Sequence, residues 1–214
     1  MKLQEFLMEM PDFINKEMPI ITNGTIRFYS IDTIERDFDL ISKTIKNNEE
    51  FWTILKKDKS IASIGILSRR KEDNKLGLDL LGILDFKESP DFSFNRLINV
   101  NEKVLQVDSV NIYSDKFQGF GYLLYSTLVE YGYILVSDHT QYLGGKKLWE
   151  KISKLSNSNK YSVFIVNNGE VLLDDNGMPL EYNGSNLNDD EICGDKTSNI
   201  NDSRRYVLLV MKKN

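Results

Sequence analysis

Two glycines one residue apart, Gly119 and Gly121, stand between an apolar segment and a stretch with helical spacing. Glycine has no Cβ atom, so the backbone can turn tightly there and a ligand can approach the main chain closely. A helix that begins at such a turn offers unpaired N–H groups and the positive end of its dipole, which together attract phosphate oxygens. The alternative is that the glycines only connect a strand tightly to a helix, and on the glycines alone the two interpretations stand equally.

Two familiar nucleotide-binding loops do not fit this part of the chain. A dinucleotide-binding Gly-x-Gly-x-x-Gly sequence would need a third glycine where the chain has Leu124. A Walker-type loop would need Gly-Lys followed by Ser or Thr, and Gly145-Lys146 is followed by Lys147. The glycine turn, which we define as residues 116–122, therefore belongs to neither class.

Hydrophobic spacing predicts the elements that would position the glycine turn. Leu124 and Leu128 lie one helical turn apart, which is typical of a helix with one buried face. The predicted core, residues 104–152, contains a strand over 104–113, a helix over 119–131, a short strand over 133–136 and a second helix over 140–152. Outside the core we predict, in chain order, a helix over 3–10, a strand over 25–29, a helical region over 34–55, antiparallel strands over 61–67 and 78–86, and strands over 161–166 and 206–211. For the region over 34–55, a break near Asn47-Asn48 is the alternative to one continuous helix.

A polar segment over 167–205 separates the last two predicted strands, and a small hairpin is expected within it around Asp175-Asn176-Gly177. The fold class predicted from these elements is α/β of the α+β type, with a central mixed sheet flanked by helices. We expect one domain over residues 1–214 with this late polar insertion.

Composition limits the kinds of function that the chain can have. Apolar residues make up 41% of the 214 residues, which is enough for a sizeable core. The net charge is −5 with no dense basic stripe, so nucleic acid is not the expected partner. The single cysteine, Cys193, excludes an intrachain disulfide, and no apolar run approaches the roughly 20 residues of a membrane span. Together with the absence of a signal-peptide pattern, these features predict a cytoplasmic protein without a membrane partner.

Residues 116–121, Lys-Phe-Gln-Gly-Phe-Gly, resemble the acyl-CoA-binding signature of the GNAT N-acetyltransferase superfamily. That signature is Arg or Gln, two residues, Gly, any residue, and Gly or Ala, and here Lys116 takes the basic position. Leu148-Trp149-Glu150-Lys151 is similar to the Leu-Tyr-Glu-Lys ending of the family's second core helix. The resemblance implies a GNAT-like fold and an acyl-CoA, first of all acetyl-CoA, as co-substrate.

The resemblance further implies that main-chain N–H groups of the glycine turn hold the CoA pyrophosphate, while the strand before it lies along the pantetheine arm. Lys116 departs from the family because it lacks the planar guanidinium fork. Trp149 departs because the family often has there a tyrosine that protonates the leaving thiolate, and an indole N–H cannot serve as that acid. The predicted cofactor-binding residues are Val110, Ile112, Lys116, Phe117, Gln118, Gly119, Phe120, Gly121 and Tyr122.

Attack of an amine on a thioester needs a base for the amine proton and can use an acid for the thiolate. Asp108 alternates with apolar residues of its strand, which predicts a core-facing carboxylate, although a solvated position is the alternative. His139, the only histidine, follows the short strand, and Tyr142 is a candidate acid; with Asp108 they are the predicted catalytic groups. The alternatives are an incidental loop histidine and a tyrosine that only packs in the core. Asp85, with Asp79 on the same side of its strand, is a second candidate for the base, and the alternative places both on the solvent face of a hairpin.

These observations predict an acyl-CoA-dependent N-acyltransferase that acts on a primary amine of a small molecule or a protein. The alternative is a catalytically inactive GNAT-like fold that binds CoA or a protein partner. No metal-ligand spacing surrounds any of these residues.

Overall fold

A computed structural model of the protein describes residues 28–46, 48–70, 74–87, 97, 102–113, 119–138, 143–156, 160–187 and 207–214. The chain divides into two compact units, of which the first comprises Met1–Asp85 and Val110–Thr127 and the second Phe86–Ser109 and Leu128–Asn214. The helix expected over 3–10 lies outside the described residues, and the single domain over 1–214 stays a prediction.

The first unit contains an antiparallel sheet and a short helix. Its elements are β1 (Phe28–Ser30), α1 (Ile31–Asp37), β2 (Phe38–Lys46), β3 (Glu49–Lys56), β4 (Ile61–Arg69) and β5 (Leu76–Phe86). The strand order is β2-β3-β4-β5, and β1 pairs with β5. The antiparallel pairing of β4 with β5 confirms the hairpin expected from the two apolar runs on either side of a charged turn.

The helical region predicted over 34–55 is confirmed for residues 34–37 and is wrong beyond Asp37. Helix α1 ends at Asp37, and β2 and β3 then form an antiparallel hairpin whose turn contains Asn48 at a φ of +61°. The helix itself begins where the Ser30 hydroxyl accepts the Thr33 N–H at 3.3 Å, which is an N-cap bond. Apolar residues three or four apart suggested a helix, but the many β-branched residues of this segment favour paired strands.

The second unit contains a sheet with one parallel pair. Strand β6 (Lys103–Ile112) and helix α2 (Phe120–Glu130) supply residues to both units, and the remaining elements are β7 (Tyr133–Val136), α3 (Leu143–Ser156), β8 (Tyr161–Asn167), β9 (Glu170–Val171) and β10 (Val207–Lys213). The strand order is β6-β7-β10-β8-β9, with β6 parallel to β7 and the other pairs antiparallel. The α+β class with a mixed, mostly antiparallel sheet is therefore confirmed, as are the elements predicted within the core.

The polar insertion is described as far as residue 187. Asn168 and Gly169 both have positive φ angles, of +52° and +76°, and form the two-residue turn between β8 and β9. A second hairpin follows, in which Leu173 pairs with Pro179 and the Asp174 N–H donates to the Met178 carbonyl oxygen at 2.8 Å. This confirms the small hairpin predicted around Asp175-Asn176-Gly177.

We expect Gly77→Ala to lower the free energy of unfolding by about 2 kcal/mol or more. A Cβ atom at Gly77 would lie 2.2 Å from the Tyr29 carbonyl oxygen and 2.5 Å from the Phe28 ring, so the β1–β5 pairing would have to shift. Gly82→Ala is the matched control, because its Cβ would meet side-chain ends that can move, the nearest at 2.8 Å. Urea denaturation should show the larger loss for Gly77→Ala, and equal losses would contradict this.

Glu130 should make unfolding depend on pH in acid. Hydrogen bonds from Lys160, Lys213 and Tyr161 lower the pKa of the Glu130 carboxyl from 4.5 to about 2. A lowered pKa stabilises the fold above pH 4.5, and this stability is lost as the pH falls toward 2. Because the side chain is 31% exposed, solvent screening leaves about 1 kcal/mol of this effect. Glu130→Gln should flatten stability between these pH values, whereas the exposed Glu170→Gln should not.

Candidate functional site in the glycine turn

The glycine turn follows the end of β6 and leads into α2. The parallel pairing of β6 with β7 covers Lys103–Gln106, and β6 continues to Ile112 beyond the last residue paired with β7. The Tyr113 N–H then donates to the Leu81 carbonyl oxygen at 2.8 Å, which holds the end of this segment beside β5. A strand, a turn, a helix and a parallel strand follow one another here, and ligands of α/β proteins commonly bind beyond the carboxyl ends of parallel strands.

Gly119 has the backbone conformation that the glycine turn was predicted to need. Its φ is +95°, which L-residues with a side chain rarely adopt. Its carbonyl oxygen accepts the Leu123 N–H at 2.9 Å, the first bond of α2. The start of an α-helix carries the positive end of its dipole, and no acidic residue lies in the first turn of α2 to compete with an anion.

Aromatic and aliphatic packing fixes the start of α2 within the first unit. Phe120 is 6% exposed, and the centroid of its ring lies 5.5 Å from that of Phe51 on β3. A Cβ atom placed on Gly82 would lie 2.8 Å from Ile112 Cδ1 and 3.4 Å from Leu124 Cδ1, so a glycine there leaves room for both side chains. Phe120 and Ile112 were both predicted to bind the cofactor. Phe120 is a buried packing residue of the first unit, and the end of the Ile112 side chain packs beside Gly82.

The structure describes only some of the predicted binding residues. Val110, Ile112, Gly119 and Tyr122 are half-buried, and Gly121 is buried in the first turn of α2. The predicted site residues that lie outside the described part of the chain are Lys116, Phe117, Gln118, His139 and Tyr142. Their roles stay predictions.

Of the two positions considered for Asp108, the structure has the solvated one, and the core-facing one is wrong. The buried part of β6 consists of Leu105, Gln106 and Val107, and the strand becomes exposed at Asp108. The carboxylate is therefore in water, and any role as a base would be played from the solvent side.

Asp79 and Asp85 also differ from the prediction. A register shift opposite Ile64 and Gly65 leaves Leu81 as an extra residue in β5, and such a bulge reverses the alternation of side chains. The two carboxylates thus lie on opposite faces of the sheet. Asp79 is exposed, whereas Asp85 is half-buried and helps burial to raise the pKa of Tyr29.

A polar cluster in the second unit was not anticipated from the sequence. The Gln106 side chain is fully buried, its Nε2 donates to the Ser137 carbonyl oxygen at 3.3 Å, and its Oε1 has no hydrogen-bond partner among the described residues. The Ser137 hydroxyl accepts the Leu209 N–H at 3.0 Å, and Lys87 pairs with Asp138 at 2.8 Å. A glutamine between two apolar residues of a strand was the available sequence signal.

No protein-family model, curated protein or solved structure matches this chain. Within the described residues, no group of histidine, cysteine, aspartate and glutamate side chains could hold a metal ion. None of the helices in that part of the chain is both long and apolar enough to cross a membrane. The fold and the site thus define an α+β protein in which a glycine of positive φ directly precedes helix α2.

Proposed function

We propose that this protein is an acyl-CoA-dependent N-acyltransferase, with acetyl-CoA as the first candidate for its co-substrate and a primary amine as acceptor. The observation that carries the proposal is the φ of +95° at Gly119 directly before α2. That conformation turns the chain from a strand into a helix where the family's signature has its first glycine. The amides of the first helical turn would then hold the CoA pyrophosphate.

Two features of the fold support this proposal. Strands β2 to β5 before the glycine turn form antiparallel pairs, and β8 and β10, which follow α3, also pair antiparallel. Strand β6 also extends beyond its pairing with β7, so its last residues form a half-buried extended segment before the turn. An extended chain of this kind is suited to lie along a pantetheine arm.

The proposed reaction is direct acyl transfer. The amine nitrogen attacks the thioester carbonyl carbon, the C–S bond breaks, and CoA leaves as a thiolate. The amine must lose a proton, for which Asp108 is the described carboxylate on β6, and the thiolate must gain one, for which Tyr142 and His139 stay the predicted groups.

A binding protein without turnover is the second candidate, because Trp149 favours it. Trp149 lies in α3 at the position of the family's acid and is only 2% exposed. A buried indole neither donates a proton to a thiolate nor leaves space for another acid at that position. In this case the glycine turn would bind CoA and no acyl group would be transferred.

Calorimetric titration with acetyl-CoA tests the binding site. We expect the unmodified protein to bind, Gly119→Ala to bind at least about tenfold more weakly, and Gly121→Trp not to bind, because a side chain would occupy the pyrophosphate seat. Gly132→Ala is the matched control, since Gly132 has a similar φ of +99° and open space around its Cβ position. Circular dichroism checks folding. Equal affinity in all four proteins, or no binding by the unmodified one, would contradict the proposal.

CoA release over a panel of primary amines separates the two candidates. Turnover with at least one amine supports the transferase, and binding without release supports the binding protein. If turnover occurs, Asp108→Asn should slow it about a hundredfold because the general base is lost, whereas Asp175→Asn, on an exposed turn, should not. An unchanged rate in Asp108→Asn would exclude Asp108 as the base.

A further inference from the structure

An Asn-Gly dipeptide can modify itself, because the glycine nitrogen can attack the side-chain amide carbon of the asparagine. Three such dipeptides lie in the described part of the chain, and they begin at Asn168, Asn176 and Asn183. Glycine offers no side chain to hinder the attack at any of the three. The surroundings of each asparagine must therefore decide which one reacts.

The Asn183 side chain is surrounded by hydrogen-bond donors. Its Oδ1 accepts the Ser185 N–H at 2.9 Å, the Ser185 hydroxyl at 2.9 Å and the Asn186 N–H at 3.0 Å. Attack on Cγ would place a negative charge on this oxygen. Donors that are already aimed at an oxygen where charge develops stabilise the transition state.

The same bonds restrict the side chain that reacts. The bond from the Ser185 N–H to Asn183 Oδ1 closes a small ring that contains both Asn183 Cγ and the Gly184 nitrogen, so it limits the rotation of the Asn183 side chain relative to that nitrogen. Gly184 has a φ of +89°, and its N–H donates no hydrogen bond to any described residue. Asn183 is exposed, so water can reach the reacting amide.

The other two dipeptides are held differently. The Gly177 N–H, the nucleophile for Asn176, donates to the Asp174 carbonyl oxygen at 3.0 Å. The N–H groups of Asn176 and Asn183 both donate to a side-chain oxygen, at 2.9 Å and 3.1 Å, so the bond of the glycine N–H is what distinguishes the two dipeptides. Asn168 lies in the turn between β8 and β9, where the ladder pair of Asn167 with Glu170 fixes the backbone on both sides. Attack there would have to break hydrogen bonds that the fold supplies.

We propose that Asn183 is a self-modification site at which the folded chain promotes its own deamidation. The Gly184 nitrogen loses its proton to water and bonds to Asn183 Cγ, Nδ2 leaves as ammonia, and a cyclic imide forms. Water then opens the imide at either carbonyl and gives aspartate or isoaspartate. One water is consumed and one ammonia released, and this inference is independent of the acyltransferase proposal.

The reaction would change a loop that contacts α3. A Cβ atom placed on Gly184 would lie 2.9 Å from Ser153 Oγ and 3.2 Å from the Glu150 carbonyl oxygen, so the loop backbone packs closely on that helix. Isoaspartate lengthens the main chain by one methylene group and adds a negative charge beside this contact. The modified loop would therefore no longer pack on α3 in the same way.

Peptide mapping by mass spectrometry tests the proposal on the full chain, aged in mildly alkaline buffer with and without urea. We expect Asn183 to deamidate at least about threefold faster in the folded protein than in urea, because the three donors act only in the fold. Asn168 and Asn176 should react more slowly in the folded protein than in urea.

Ser185→Ala removes the hydroxyl donor and keeps the two backbone donors, so it should slow deamidation at Asn183 about threefold, the worth of one neutral hydrogen bond. Deamidation at Asn168 and Asn176 serves as the internal control and should not change. A folded rate at Asn183 no higher than the rate in urea, or an unchanged rate in Ser185→Ala, would overturn the proposal.

Discussion

The candidate site depends on one backbone constraint, the positive φ of Gly119. Gly119 has a φ of +95°, which residues with a side chain rarely adopt, and it directly precedes α2. The packing of Phe120 on Phe51 fixes the start of that helix within the first unit. The glycine and the buried aromatic ring together determine where α2 begins, and the proposed anion site needs such a fixed helix start.

Elements with one dominant period were predictable from the sequence. The helix with Leu124 and Leu128 and the alternating or fully apolar strands all lie where the pattern placed them. The segment over 34–55 was not predictable in this way, because apolar residues three or four apart also occur in two strands joined by a turn. The Asn47-Asn48 pair is the sequence signal for that turn. Strand β3 is extended also because it pairs with β4, which lies outside the segment over 34–55.

The site was less predictable than the fold, because burial and side-chain direction depend on neighbours distant in sequence. Asp108 shares the alternation of its strand, yet β6 is covered only as far as Val107. Asp79 and Asp85 appear in phase until the bulge at Leu81 reverses the alternation between them. The residues of a strand do not show where its burial ends or where a bulge occurs. A turn that needs glycine, in contrast, can be predicted from the sequence.

The two halves of β6 differ in their pairing and in their burial. From Lys103 to Gln106 the strand pairs with β7, and the buried Gln106 amide ties it to the segment after β7. Gln106 Oε1 has no hydrogen-bond partner among the described residues, and a buried polar atom without a partner lowers the stability of the fold. Beyond Gln106 the strand has no β7 partner, becomes exposed at Asp108 and stays half-buried to Ile112. The strand thus changes along its length from a buried part that pairs with β7 to a part that is exposed at Asp108 and half-buried from Ser109 to Ile112.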